Sequence, residues 1–186
     1  MGVYGDRGDE LLDETSVVGH DFLADVATEW EAAADRASAA GVRVVKIRTG
    51  LVLSSRGGAL ARLLLPFRLG LGGRVGSGRQ WVSWIALADT VGAIMHAVHL
   101  QTLAGPVNLS APNPVTNAEL AATLAKVLAR PAILPVPAAA MRLVFGEMGQ
   151  ATLLASQRMS PRRLVESGYR FRYPTLEAAL RHELGR

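Results

Sequence analysis

Residues 42–48, VRVVKIR, and residues 57–85, GGALARLLLPFRLGLGGRVGSGRQWVSWI, decide the fold between them. The first is a β-branched run of strand length. The second opens on apolar density from Gly58 to Leu69 that predicts a helix, with Pro66 bending or ending it. A glycine-dense loop, GLGGRVGSG (70–78), leads into the strand-like QWVSWI (80–85). Beyond it, Ala88 to Leu100 predicts a helix and PVNLS (106–110) a short buried strand. Ahead of it, Asp21 to Ala40 spaces Phe22, Val26, Trp30 and Ala33/Ala34 about four residues apart, an apolar helical stripe that Gly41 stops. This alternation of strand and helix predicts parallel pairing in an α/β layer.

The last third changes character. Thr116 and Glu119 form a capping box that opens a helix over 117–129, with Pro131 just past its end. ILPVP (133–137) reads as a connection, and Pro137 suits the first turn of another helix. Ser160-Pro161 opens a short helix that Gly168 ends. YRFRY (169–173) alternates aromatic and arginine, as a half-exposed strand or an extended arm would, and a closing helix follows over 175–184. The expected organisation is an α/β region over 1–130 and a mostly helical cap over 131–186. Only two or three sheet strands can be counted, few for an open parallel sheet.

A chain of 186 residues, 49% hydrophobic and 19% charged, buries a real core and is not disordered. The absence of cysteine excludes a disulfide scaffold, a zinc ribbon and a thiol nucleophile. No apolar run reaches the ~18 residues of a membrane span, and the acidic start is unlike a signal peptide, so a soluble cytoplasmic protein is expected, with no membrane partner. Residues 1–36 hold ten acids against Arg7 and Arg36, whereas the remainder holds six acids against eighteen bases. Those bases are scattered arginines rather than lysine clusters, which points away from nucleic acid; they read as an arginine-rich bias on solvated faces, with an anionic small molecule as the functional alternative, because the guanidinium fork suits phosphate.

Two glycine patterns, Gly2/Gly5/Gly8 and Gly70/Gly73/Gly76, lack the strand-then-helix setting of a dinucleotide fingerprint. No Tyr-x-x-x-Lys pair exists: Val42 stands four residues before Lys46, and Ala122 four before Lys126. His20, His96, His99 and His182 have no metal-ligand spacing beyond the weak His96/His99 pair, so no metal is expected. Asp89 reads as a structural charge at a helix start. Arg74 and Arg79 flank Gly76-Ser77-Gly78, which is either a phosphate-holding loop or a solvent loop whose glycines permit tight turns. Trp84 and Ile85 read as core, whereas Gln80 and Ser83 have the polarity to line a cleft.

The stretches YGDRGDELLDE, DFLADVATEWEAAA, VRVVKIRTGLVLS, GGALARLLLPFRLGLGGRVGSGRQWVSWI, GPVNLSAPNPVTNAELA and QRMSPRRLVESGYRFRYPTLEAAL follow one another in an order that resembles the epimerase family of atypical short-chain dehydrogenase/reductases. The resemblance covers essentially the whole chain. It implies the C-terminal part of a Rossmann-like parallel-sheet fold plus a mostly helical substrate-side cap, the family's C-terminal domain of unknown function falling at about 136–184. It further implies that the family's N-terminal Rossmann half, with its glycine-rich NAD(P) motif, lies upstream of Gly2-Val3-Tyr4-Gly5-Asp6, through a truncation or a misplaced start.

On this resemblance Tyr4, Arg48, Thr49 and Gly50 would approach NAD or NADP, and Arg74, Ser77, Arg79, Gln80 and Ser83 would hold a nucleotide-linked or phosphorylated small-molecule substrate. Phe22 and Val26 occupy the positions of the tyrosine and lysine of extended relatives, so no catalytic residue is assigned. The expected function is NAD(P)-dependent epimerase/dehydratase or reductase chemistry; the alternative is a non-enzymatic binding or scaffolding module. Without the upstream half the chain is expected to bind dinucleotide poorly and to self-associate through a cut sheet face.

Overall fold

The computed structural model describes residues 2–132, 135 and 155–186. Along them run β1 (Leu11–Leu12), α1 (Phe22–Ala39), β2 (Val45–Thr49), β3 (Leu51–Leu53), α2 (Gly58–Arg68), β4 (Trp81–Val82), β5 (Trp84–Ala86), α3 (Leu87–His99), β6 (Gly105–Leu109), β7 (Val115–Thr116), α4 (Asn117–Leu128), β8 (Arg158–Met159), α5 (Arg162–Glu166) and α6 (Leu176–Glu183). The connection read at 133–137 lies, apart from Pro135, outside the described residues, as does the helix expected to start at Pro137.

Parallel pairing holds where the alternation predicts it. β2 runs beside β6 from Val45↔Gly105 to Thr49↔Leu109, and β3 beside β5 from Leu51↔Trp84 to Leu53↔Ala86. β1 and β8 are also parallel and join the acidic front of the chain to its last third, while β4 and β7 are antiparallel. The strands are shorter and more numerous than the sequence suggests. QWVSWI divides at Ser83 into β4 and β5, which take different partners. The strand expected over 42–48 lies at 45–49 and resumes as β3.

Gly50 is where the chain changes neighbours. Its amide donates to Leu109 O on the β6 side at 2.9 Å, and the next amide, Leu51, donates to Ser83 O on the β5 side at 2.7 Å. A Cβ at position 50 would lie 2.8 Å from the Ser83 carbonyl oxygen, so only glycine lets the two backbones approach this closely.

Two apolar clusters flank this crossing. One places Leu53, Trp84, Leu60, Leu124 and Leu180 between β3/β5 and helices α2, α4 and α6. The other sets Ile85, Val107, Leu109 and Leu164 beside Ala93 and Ala97 of α3. The capping box of α4 forms as its sequence predicts, Thr116 Oγ1 accepting from Glu119 N and Glu119 Oε2 from Thr116 N. Helix α1 departs from expectation in its packing: Phe22 and Trp30 of its apolar stripe are 77% and 74% exposed, and Ala24 is its one buried residue. β2 likewise pairs with β6 alone among the described residues. Beside it, a groove of about 230 Å³ is lined by Arg43, Val45, Ile47, Ile94, Ala97 and Val98.

YRFRY forms no strand; it is an extended arm tied down by Asp89. This carboxylate is fully buried at the start of α3 and accepts from Arg172 N (2.7 Å), Tyr173 N (2.9 Å) and Tyr169 Oη (3.1 Å). Tyr169 and Phe171 then pack edge-to-face at 5.0 Å against the second cluster. Replacing Asp89 by Ala strands two backbone amides, and each buried orphan costs about 1–3 kcal/mol. Asp89→Ala is therefore expected to lower stability in urea unfolding by about 3 kcal/mol, and Asp89→Asn, which keeps one acceptor oxygen, by less.

Candidate functional site

An open cleft of about 610 Å³ is formed where Tyr4, Gly5, Asp6 and Arg7 pass beside Val17, Val18, Gly19, His20 and Asp21. The two segments are held together by Gly19 N donating to Val3 O at 2.9 Å, and a Cβ on Gly19 would sit 2.8 Å from the Tyr4 backbone. Most polar side chains of the cleft are engaged. Asp6 Oδ1 accepts from Gly8 N and Ser156 N, Arg7 forms a bidentate pair with Glu10, and Asp21 Oδ1 caps α1 through Ala24 N at 2.9 Å. His20 is exposed and makes no hydrogen bond, and it is the one imidazole on the cleft wall.

Tyr4 contributes its backbone and ring to the cleft, but its hydroxyl turns inward. It lies 2.8 Å from Asn108 Oδ1 and 3.0 Å from Asp13 O as donor, and accepts from Arg48 Nη1 at 3.0 Å. Arg48 in turn grips Glu31 through Nε at 2.7 Å and Nη2 at 2.8 Å. The orientation of Asn108 is fixed because its Nδ2 donates to Leu12 O and Ser160 O. Burial pushes the Tyr4 phenol above its usual range, against the lowering effect of Arg48, and the Glu31 carboxylate pushes the Arg48 guanidinium further up. Tyr4 and Arg48 are thus brought together by a direct hydrogen bond. The Arg48 side chain reaches no ligand without breaking a buried pair, and Thr49 is held in register opposite Leu109.

The residues expected at a substrate lie apart from this cleft. Arg74 folds back on its own loop, Nη1 donating to Ser77 O at 2.6 Å, and Asn117 Oδ1 accepts from Val75 N at 2.7 Å. Gln80 Nε2 donates to Val75 O, Ser77 Oγ accepts from Arg79 N, and the Arg79 side chain is exposed. Ser83 is buried: its Oγ donates to Gln157 O and accepts from Met159 N, both at 2.7 Å. Gln157, to which the sequence reading assigns no role, links the two regions, because its Nε2 donates to Gly5 O at 3.0 Å on the cleft wall. Its only sequence signal is its place in the QRMSP stretch. Among the described residues no group of three or more His, Cys, Asp or Glu side chains is placed to hold a metal ion, and no helix is long and apolar enough to cross a membrane.

Two outcomes follow from this geometry. Gly50→Ala forces a methyl onto the Ser83 carbonyl and is expected to destabilise by about 2 kcal/mol or more in urea unfolding, the scale of overpacking in a tight interior. The phenols of Tyr4 and Tyr169 both lie above the usual tyrosine range, chiefly through burial. The folded protein therefore keeps protons that the unfolded chain loses near pH 10. Their contribution is full below that pH and declines as pH rises through it. Absorbance at 295 nm should show both phenolates appearing late and together with the loss of native circular dichroism.

Comparison with known proteins agrees with the fold and the motif order. A domain of unknown function (DUF1731) matches residues 136–183. An epimerase family protein of Mycobacterium bovis is 44% identical, aligned over 97% of this chain and 60% of its own length. The structure of human epimerase family protein SDR39U1 with NADPH superposes with a TM-score of 0.90 at 39% identity, covering 98% of this chain and 62% of that one. A nucleoside-diphosphate sugar epimerase from Corynebacterium glutamicum gives 0.81 at 43% identity, over 99% and 36%. The chain spans about three-fifths of the length of the curated relatives it matches. By sequence and by fold the chain is similar to epimerase family proteins over about three-fifths of their length.

Proposed function

We propose that this chain is the substrate-side body of an NAD(P)-dependent epimerase/dehydratase- or reductase-like protein acting on a phosphorylated or nucleotide-linked small molecule, with residues 1–130 as the partial Rossmann-like region and 131–186 as the family's C-terminal domain. The observation that carries the reading is the TM-score of 0.90 against an NADPH-bound relative. The free edge of β2 and the apolar groove beside it support a sheet that continues beyond these residues, since parallel strands are normally covered on both faces. The pyrophosphate clamp belongs to that continuation, because no described strand leads through a glycine-rich turn into a helix N-terminus in the way such a clamp requires.

Within the cleft, proton transfer falls to His20. Phe22, the first residue of α1 and two residues on, has no proton to exchange, and the Tyr4 hydroxyl is held inside. The exposed Phe22 also favours the second reading, a binding module without catalysis, and His20 separates the two. NADPH titration by nicotinamide fluorescence is expected to show no sub-micromolar binding to these residues alone. Binding should appear when they are fused to the part of the mycobacterial relative that this chain does not match. In that fusion His20→Gln should abolish turnover of dinucleotide in a substrate screen while leaving NADPH affinity unchanged. Sub-micromolar NADPH binding by the unfused chain would contradict the proposal. Turnover that survives His20→Gln would remove the histidine from the chemistry.

A further inference from the structure

Five arginines are buried or half-buried among the described residues: Arg7, Arg43, Arg48, Arg158 and Arg163. Four of them donate to acceptors. Arg7 and Arg48 bind carboxylates, Arg43 the carbonyls of Ala97, Val98 and Leu103, and Arg163 the carbonyl of Pro106. Arg158 has no such partner. Its guanidinium carbon stands 4.4 Å from the centroid of the Trp81 ring, and its Nε–H is buried without an acceptor. The ring beneath it is fixed, because Trp81 Nε1 donates to Asp9 Oδ1 at 2.8 Å, Trp81 N donates to Ser156 Oγ at 3.0 Å, and Trp81 O accepts from Gln157 N at 3.1 Å.

A guanidinium left without an acceptor in a half-buried place is a liability to folding. Stacking on an indole offsets part of that cost and also restricts the side chain. The result is a preorganised cation at the β4/β8 seam, with Arg79 two residues along the chain from Trp81 and the Asp9 carboxylate engaged by the indole Nε1–H. We infer that Arg158, presented by Trp81, is an oxyanion-binding residue that takes a phosphate or carboxylate group of a small-molecule ligand. The site deepens the proposal above by placing the ligand's anion, and it rests on that reading only for the ligand's being a substrate. Anion binding is measured without dinucleotide, so each can fail alone.

Pyrophosphate and citrate, each titrated at constant ionic strength into Trp30→Phe protein, separate the two sources of the anion. Trp84 is fully buried in the protein, which leaves Trp81 as the reporter beside Arg158. A saturable change in Trp81 emission is expected with at least one of them. It should weaken at least tenfold in both Arg158→Gln and Arg158→Met, with melting temperatures within about 2 °C of the parent. Absence of a saturable change with either anion, or equal affinity in the Arg158 variants, would overturn the inference. Should those variants not fold, ¹H–¹⁵N spectra of the unmodified protein carry the test. Pyrophosphate must then shift the Arg158 Nε–H and Trp81 Nε1–H resonances, and the inference fails if neither moves.

Discussion

The structure turns on the contact between Ser83 and Gly50. At that point β2 hands over to β3, β4 hands over to β5, and the Ser83 carbonyl receives the Leu51 amide while its hydroxyl bridges Gln157 and Met159. Three distant parts of the chain meet around a side chain of one hydroxyl and a residue with no side chain at all. Glycine is required there by space rather than by dihedral angle. Serine is required because a buried hydroxyl is tolerable only when it is bonded, and this one both donates and accepts.

From that junction two polar networks run outward. One passes through Gln157 to Gly5 and the cleft, then inward through Tyr4 to Asn108, Arg48 and Glu31. The other is the Asp89 clasp, which fastens the aromatic arm 169–173 over the second apolar cluster. Both are nearly fully satisfied, and such networks give a region one arrangement rather than several. The cleft therefore stands on a stiff floor. The exposed Phe22 and Trp30 and the open edge of β2 lie on faces that this floor does not use.

Much of this was legible in the sequence because it is local. The Thr116/Glu119 box, the strand character of 42–48 and 106–110, and the core positions of Trp84 and Ile85 each depend on neighbours within a few residues. The site was legible in outline only. Periodicity marks Phe22 and Trp30 as one stripe but does not say whether the surface that covers it belongs to these residues. Ser83 looks like a cleft residue because it is polar in an apolar run, yet its hydroxyl is taken up by residues 157 and 159, more than seventy positions away. Asp89 reads correctly as structural, but the clasp it forms depends on residues 169–173, and among the described residues Arg158 is distinguished only by having no acceptor where the other buried or half-buried arginines have one.

If the Ser83–Gly50 junction is the constraint on which the remainder depends, the amides of Leu51 and Met159 should open only when the whole chain does. Native-state hydrogen exchange measures this residue by residue. The account predicts that both amides exchange with the free energy and denaturant dependence of global unfolding. Exchange of either through a low-energy local opening, at rates like those of the 70–78 loop, would contradict it.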